Sequence, residues 1–269
     1  MQGLVGSLAA VIATLTLGVG TAGSAGPSRP VQLAADLNAA QQQIDARSTS
    51  TAALTAAGRF IQLATRELRA QSSSARRATL AGLDGPTAAT MRANLAAAAA
   101  LSQLGTPRNS LPAWRVIQPP APSTLLGYFK AAQARSGVPW EYLAAIEMIE
   151  TQFGRVDGLS TAGAEGPMQF IPSTWAAYGS GNVHNPRDAI FGAARYLVAS
   201  GAPGDMAGAI YHYNPSDYYV RAVEAYANRM RSDPRVYYGY YYWHVMFTDI
   251  HGTFILPAGF PKVRAIPLR

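Results

Sequence analysis

A proline-rich stretch between Thr106 and Ser123 constrains this chain more than any other feature. It contains five prolines, at positions 107, 112, 119, 120 and 122. Because proline fixes φ and lacks a backbone donor, such a stretch is typical of an extended linker between folded segments. The linker therefore divides the chain into predicted segments. Before it lie a signal peptide or uncleaved anchor (1–25) and a helical segment (31–105). After the linker itself (106–122) come the main domain (123–231) and an aromatic tail (232–269).

The first residues, up to Pro27, carry no charged side chain. An apolar run from Leu4 to Val19 is followed by Gly23-Ser24-Ala25, which has the small-x-small form of a signal-peptidase site. The basic residues that normally precede such a run are missing, so an uncleaved anchor is the alternative. We expect the protein to be exported, with membrane contact only through an uncleaved N-terminal segment.

The composition narrows the class of protein. Hydrophobic residues make up 49% and charged residues 14%, which indicates a globular chain rather than a disordered one. The absence of cysteine excludes disulfides, thiol catalysis, cysteine-ligated metals and a lipid-modified cysteine. A net charge of +7, spread without a dense run, favours an anionic partner such as nucleic acid, a membrane or an acidic wall polymer.

The segment 31–105 is predicted to be two or three helices packed as a hairpin. Apolar residues between Arg59 and Arg69 recur at helical spacing, and Pro86 suits the first turn of a helix that runs to Leu104. The segment has no histidine, aromatic cluster or paired acids. Its expected role is structural, or that of a surface that binds a partner.

The segment 123–231 is predicted to be mainly α-helical. Ser123 is a candidate N-cap, Pro139 suits a first turn, and Asn185 followed by Pro186 is typical of a capped helix start. The predicted helices cover 124–136, 139–152, 172–177, 186–200, 205–212 and 216–231.

The tail 232–269 begins with a run of aromatic residues from Tyr237 to Trp243. Two apolar stretches then flank the turn-like sequence TDIHG, which indicates a β-hairpin or an extended tail packed on the main domain. We expect the aromatic residues to be buried against the main domain, and stacking on sugar rings is the alternative.

One helix carries the chemistry, in the sequence AAIEMIETQFGR from Ala144 to Arg155. Its apolar face includes Ile146 and Ile149, and Glu150 lies at the edge of that face near the C-terminal end of the helix. Burial and the helix dipole both raise the pKa of a carboxyl there, as a general acid requires. Glu147 is interpreted as a solvated or salt-bridged side chain.

This helix and the residues after it resemble a known family. The motifs VPxxxLAAIExxET, SxxGAxGxMQFxPSTW, NPxDAIxxAARYL and YN occur in this order. They resemble the catalytic domain of the lytic transglycosylases of peptidoglycan, of the soluble SLT type and of the membrane-bound B type, over about residues 138–230. Thr151 in place of serine and Pro167 in place of leucine are departures that leave the subfamily open.

The resemblance implies a lysozyme-like α fold with a cleft beside the helix of Glu150. It implies that Glu150 is the catalytic acid and base, and that Ser160, Met168, Gln169, Tyr213 and Asn214 bind the substrate. It also implies cleavage of peptidoglycan glycan strands without water, leaving 1,6-anhydromuramic ends. No cofactor is implied, and we expect a monomer acting in the cell wall or as a secreted enzyme. Other cell-wall proteins are possible partners of the N-terminal helices.

Two alternatives stay open at this stage. A lysozyme-type hydrolase on the same fold would need a second carboxylate, for which Glu165, Asp157 and Asp188 are candidates and Glu165 is the least easily dismissed. A peptidoglycan-binding or scaffold protein without turnover is the other. The four histidines lack metal-ligand spacing, and no motif beyond net charge points to nucleic acid, so neither a metal nor nucleic acid is predicted.

Overall fold

The computed structural model describes residues 28–105 and 107–268. It confirms a mainly α-helical fold with a short strand-containing tail. The predicted signal peptide or anchor at 1–25 lies outside the described residues. Within 28–105 and 107–268, no helix combines the length and the apolar character needed to cross a lipid bilayer.

Four helices precede the linker, where two or three were expected. They are α1 (Arg29–Asp45), α2 (Thr51–Ala70), α3 (Ser73–Ala81) and α4 (Gly85–Leu101). Ser50, Ser72 and Asp84 each accept a hydrogen bond from a first-turn backbone N–H, which fixes three helix starts. The helices share a core that includes Leu37, Ile61, Leu68 and Met91.

Six helices of the main domain follow the linker, close to the predicted positions. They are α5 (Pro122–Ser136), α6 (Trp140–Thr151), α7 (Pro172–Tyr178), α8 (Pro186–Ala199), α9 (Met206–Tyr213) and α10 (Asp217–Ser232). Asn185 caps α8 as predicted, by accepting a hydrogen bond from the N–H of Asp188 at 3.2 Å. Ser123 is not the cap of α5, because that helix begins one residue earlier with Pro122 at its first position.

Helix α6 is the centre of the main domain. Every residue from Trp140 to Met148 is buried, against α5, α8 and α10. A helix enclosed on all sides has no solvated face, so polar residues along it lie in the core. This burial sets the environment of both glutamates at its C-terminal end.

The N-terminal helices share the core of the main domain. Ala97 and Ala100 of α4 belong to the same buried cluster as α6 and α10. The Arg229 Nε donates to Thr90 at 2.9 Å, and the Tyr240 hydroxyl donates to Asn94 at 2.8 Å. Because buried polar groups that lose their partners are costly, these contacts hold the helices firmly in place. The predicted segment boundaries themselves stay a prediction.

The tail forms a short helix and a three-stranded antiparallel sheet. Helix α11 (Val236–Tyr241) precedes β3 (Val245–Asp249), β4 (Gly252–Leu256) and β5 (Ile266–Leu268), in the order β3-β4-β5. The β3–β4 hairpin was predicted from its turn sequence. The expected burial of the aromatic run is confirmed for Tyr237, Tyr240, Tyr241 and Trp243.

The linker is docked between the main domain and the tail. Strand β1 (Arg115–Val116) pairs antiparallel with β2 (Val156–Asp157), which follows α6. On its other side the Val116 N–H donates to the Phe260 carbonyl at 3.1 Å, and the Gly259 N–H donates to the Val116 carbonyl at 2.8 Å. The tail sheet is thereby anchored next to the C-terminal end of α6.

Candidate active site

Glu150 lies in the last turn of α6 and is half-buried. The helix ends one residue later, and Gln152 and Phe153 both adopt left-handed backbone conformations, with φ of 52° and 59°. In the described residues, Gln169 is the other non-glycine residue with positive φ, at 52°. Such strained positions cluster at functional sites, and here they flank Glu150 and the following loop.

The carboxyl of Glu150 is held by Tyr219 at the start of α10. The Tyr219 hydroxyl donates to Glu150 Oε1 at 2.5 Å. Burial raises the pKa of Glu150 to about 7, while the hydrogen bond from Tyr219 lowers it. A carboxyl that titrates near neutral pH is able both to donate and to accept a proton.

Tyr219 was missed by the sequence analysis, although a signal existed. Tyr219, Ala222, Val223 and Tyr226 form the buried stripe of α10 at helical spacing. A buried tyrosine requires a partner for its hydroxyl, and the resemblance drew attention to Tyr213 instead.

Tyr213 lies at the end of α9 and supports the loop after β2. Its hydroxyl donates to the Met168 carbonyl at 2.6 Å, and its ring packs edge-on against Phe170. Burial, followed by negative charge on the Glu150 carboxyl, raises the pKa of Tyr213 well above its usual range. Tyr213 therefore fixes the backbone at Met168, whose side chain is fully buried.

Ser160 and Gln169 shape this loop through contacts with its backbone. Ser160 Oγ accepts from the N–H groups of Ala162 and Ala164, at 3.2 and 3.0 Å. Gln169 Nε2 donates to the Gly166 carbonyl at 3.0 Å. Both predicted residues thus stabilise the conformation of the loop.

Asn214 follows Tyr213 and ends α9. Its backbone N–H donates to the Ile210 carbonyl at 3.1 Å. Its half-exposed side chain makes no hydrogen bond to another residue in the described part of the chain. The amide is therefore available to a ligand.

The three candidate second carboxylates all have partners of their own. Asp157 pairs with Arg115 across the β1–β2 ladder. Glu165 lies 3.2 Å from His184 Nε2, and Asp188 accepts from the Asn182 N–H at 3.1 Å. In the described residues no three acidic or histidine side chains come together in a way that would hold a metal ion.

Glu147 corrects an expectation, because its side chain is neither solvated nor salt-bridged. It is fully buried, and neither carboxyl oxygen has a hydrogen-bond partner within the described residues. Burial raises its pKa well above its usual range, so the side chain is neutral in the folded protein. The helical pattern suggested an exposed edge, but α11 packs against α6 and brings Tyr237 and Tyr241 close to the Glu147 carboxyl.

A cavity of about 150 Å³ opens beside Glu150. Its wall includes Met148 to Gln152 and Val156, and it also includes three residues that sequence analysis did not single out: Trp114, Val245 and Met246. They are contributed by the linker and by β3. Their distance along the chain from Glu150 explains why no local pattern revealed them.

Comparison with known proteins defines the class of the domain. Residues 127–233 match the family described as Transglycosylase SLT domain. This range contains α6, the loop and the YN sequence that carried the resemblance. Residues 127–233 of the main domain are therefore similar to the SLT transglycosylase family, as the resemblance in the sequence predicted.

A second comparison finds a relative whose name describes a murein transglycosylase. The membrane-bound lytic murein transglycosylase F of Thiobacillus denitrificans is 38% identical over 71 residues, which is 26% of this chain. This chain covers only 15% of that relative's length. The comparison with solved structures gave no match.

Proposed function

We propose that the protein is a peptidoglycan lytic transglycosylase in which Glu150 acts first as general acid and then as general base. The observation that carries this proposal is the half-buried Glu150 carboxyl, titrating near pH 7 and held by Tyr219. The SLT domain match and the relative named for murein supply the substrate class.

In the proposed reaction the protonated Glu150 donates its proton to the glycosidic oxygen between N-acetylmuramic acid and N-acetylglucosamine. The bond from that oxygen to C1 of the muramic unit breaks, and the leaving sugar departs with a hydroxyl. The ionised Glu150 then removes the proton from the 6-hydroxyl of the same muramic unit, and that oxygen bonds to C1. Glu150 ends protonated, and no water is consumed.

The contacts of the other acids favour this reaction over hydrolysis. Glycosidases that use water generally pair two carboxylates across the scissile bond. Asp157, Glu165 and Asp188 are each engaged elsewhere, and the buried Glu147 is neutral. One titrating carboxyl at the cavity is sufficient for transfer within the substrate.

The remaining predicted residues are assigned supporting roles in this proposal. Tyr219 positions Glu150, and Tyr213, Ser160 and Gln169 hold the loop that carries Met168. The free side-chain amide of Asn214 binds the sugar strand. We further propose that the protein acts outside the cytoplasm, where peptidoglycan lies.

Release of soluble fragments from purified sacculi tests the proposal. Glu150→Gln keeps the shape of the side chain but removes its proton chemistry, so release should fall to background. Glu147→Gln makes the same change one turn earlier and should retain most of the release. Equal release by wild type and Glu150→Gln would refute the assignment of Glu150.

A further inference from the structure

The cavity beside Glu150 is only partly built by the SLT domain. Helix α6 and Val156 supply one side, and both lie within residues 127–233. The rest of the lining is Trp114 of the linker with Val245 and Met246 of β3. These three residues lie outside the stretch that matches the family.

Trp114 is held in one orientation by three neighbours. Its indole N–H donates to the Leu159 carbonyl at 3.4 Å, and its ring packs edge-on against Phe247 at 5.5 Å between centroids. Gly158 permits this approach, because a Cβ at that position would lie 2.5 Å from Trp114 Cδ1. The ring remains half-buried, and it borders the cavity.

The support beneath Trp114 is equally well fixed. Strand β1 joins β2 on one side and the Gly259–Phe260 segment on the other. Val116, Val245, Leu256 and Phe260 form a small buried core under this junction. A ring already fixed in its binding position loses little conformational entropy when a ligand packs on it.

The lining of the cavity indicates the kind of ligand. Polar atoms make up the larger share of its surface, and its lining residues are Glu150, Thr151 and Gln152 together with the apolar Trp114, Met148, Ile149, Val156, Val245 and Met246. A pyranose ring has hydroxyls around its edge and an apolar face of C–H groups, which pack on an aromatic surface. The volume of about 150 Å³ is below the range of about 300–1,000 Å³ usual for drug-sized ligands, so it suits one sugar unit and not a longer strand.

We propose that Trp114, Val245 and Met246 form a sugar subsite that seats one N-acetylamino sugar next to the bond that Glu150 cleaves. This inference rests on the proposed function and deepens it. It assigns the linker and the tail sheet a direct part in substrate binding. The SLT domain alone would then have an incomplete cleft.

The test uses the full chain and uncrosslinked glycan strands purified from sacculi. Trp114→Leu keeps an apolar side chain but removes the ring, whereas Trp114→Phe keeps a ring. The dissociation constant is measured in a Glu150→Gln background, where strands are not consumed, and KM and kcat are measured with Glu150 intact. Thermal unfolding of each variant shows whether the tail remains folded.

The leucine variant should weaken binding and raise KM about tenfold or more, as loss of a buried aromatic anchor does. The phenylalanine variant should retain most of the affinity, and the pH profile of kcat should be unchanged in both. Met246→Ala should weaken binding in the same direction, whereas Thr248→Ala, an exposed residue of the same strand, should not.

Two negative results are distinguishable. Unchanged affinity and KM in Trp114→Leu and Met246→Ala, with wild type cleaving strands normally, would overturn the subsite and leave the proposed function standing. If Trp114→Leu unfolds, Met246→Ala decides between the same outcomes. A wild type that neither binds nor cleaves strands would instead refute the proposed function.

Discussion

The Tyr219 hydroxyl donates a 2.5 Å hydrogen bond to Oε1 of Glu150. Two opposed influences meet at this carboxyl, because burial favours its neutral form while a donated hydrogen bond favours its ionised form. Their balance gives a pKa of about 7. An acid that must also act as a base later in the same reaction works best with a pKa near the working pH.

Tyr219→Phe removes the hydrogen bond that lowers the pKa of Glu150. The pKa of Glu150 should then rise above about 7, by about one to two units, since a hydrogen bond to an ionised group contributes about 1.5–3 kcal/mol. Cleavage requires protonated Glu150 and is lost as pH rises through its pKa. The alkaline limb of the kcat/KM profile should therefore move to higher pH, and the rate at the optimum should fall because the carboxyl is less well positioned.

Tyr218→Phe is the matched control, because Tyr218 is the exposed neighbour on the same helix turn. Its profile should coincide with that of wild type. An alkaline limb that stays in place in Tyr219→Phe would show that this hydroxyl does not influence the acid.

Tyr213→Phe should act differently from Tyr219→Phe. It removes the 2.6 Å bond to the Met168 carbonyl and leaves that buried acceptor without this partner, which costs about 1–3 kcal/mol of stability. Activity should fall because the loop is less well held. The alkaline limb of the kcat/KM profile should nevertheless move less than in Tyr219→Phe, because the hydrogen bond from Tyr219 to Glu150 is kept. Chemical denaturation and pH–rate profiles of the two variants separate the roles. Equal shifts of the alkaline limb in both variants would contradict the separate roles assigned to the two tyrosines.

Glu147 should make the folded protein less stable as pH rises. Its pKa is raised well above the ordinary 4.5, so above about pH 4.5 the folded state holds more protons than the unfolded state. The free energy of unfolding therefore falls with rising pH, until pH exceeds the folded-state pKa. In Glu147→Gln this contribution is absent, and its stability relative to wild type should increase by about 1.4 kcal/mol per pH unit across that window.

Urea unfolding between pH 5 and pH 8 measures this slope, because an ordinary glutamate is mostly ionised throughout that range. Glu224→Gln, a partly exposed glutamate of α10, is the control and should follow the wild-type slope. A slope in Glu147→Gln equal to that of wild type would mean that Glu147 is not buried as described.

Gly58 and Gly239 allow α2 and α11 to touch, so Gly58→Ala should be destabilising. A Cβ at Gly58 would overlap the Gly239 carbonyl oxygen, which is backbone and does not yield easily. Overpacking of this kind typically costs about 1–3 kcal/mol. Gly127→Ala is the control: Gly127 lies within α5 with open space around it, and alanine there should stabilise by about 0.5–1 kcal/mol. Thermal unfolding measures both, and an unchanged or raised midpoint in Gly58→Ala would contradict the contact.

The positions of most helices followed from local chemistry. Asn185 and Pro186 predicted the start of α8, and the sequence TDIHG predicted the turn of the β3–β4 hairpin. Both predictions were possible because caps and turns depend on residues adjacent in the chain. Glu150 was also predictable, since its place at the edge of the apolar face and the motif order both pointed to it. The start of α5 was missed by two residues, because Ser123 is a good N-cap and Pro122 is an equally good first helical residue.

The missed features all depend on contacts between distant segments. Glu147 was expected to be exposed because the pattern of α6 does not reveal α11, which covers that side. Tyr219 contacts Glu150 from α10, and Trp114 of the linker borders the cavity beside Glu150. No local spacing encodes either position. A fully enclosed helix carries no amphipathic signal, so its polar residues are the hardest to interpret from sequence.

The central claim is that a single carboxyl, that of Glu150, catalyses the attack of the muramic 6-hydroxyl on C1 of the same sugar unit. Mass spectrometry of the fragments released from purified sacculi, with wild type beside Glu150→Gln, tests it most directly. The account predicts that wild-type fragments end in anhydromuramic units, lighter by one water than hydrolysed ends, and that Glu150→Gln releases none. Hydrated reducing ends from wild type, or anhydro ends released equally by Glu150→Gln, would contradict it.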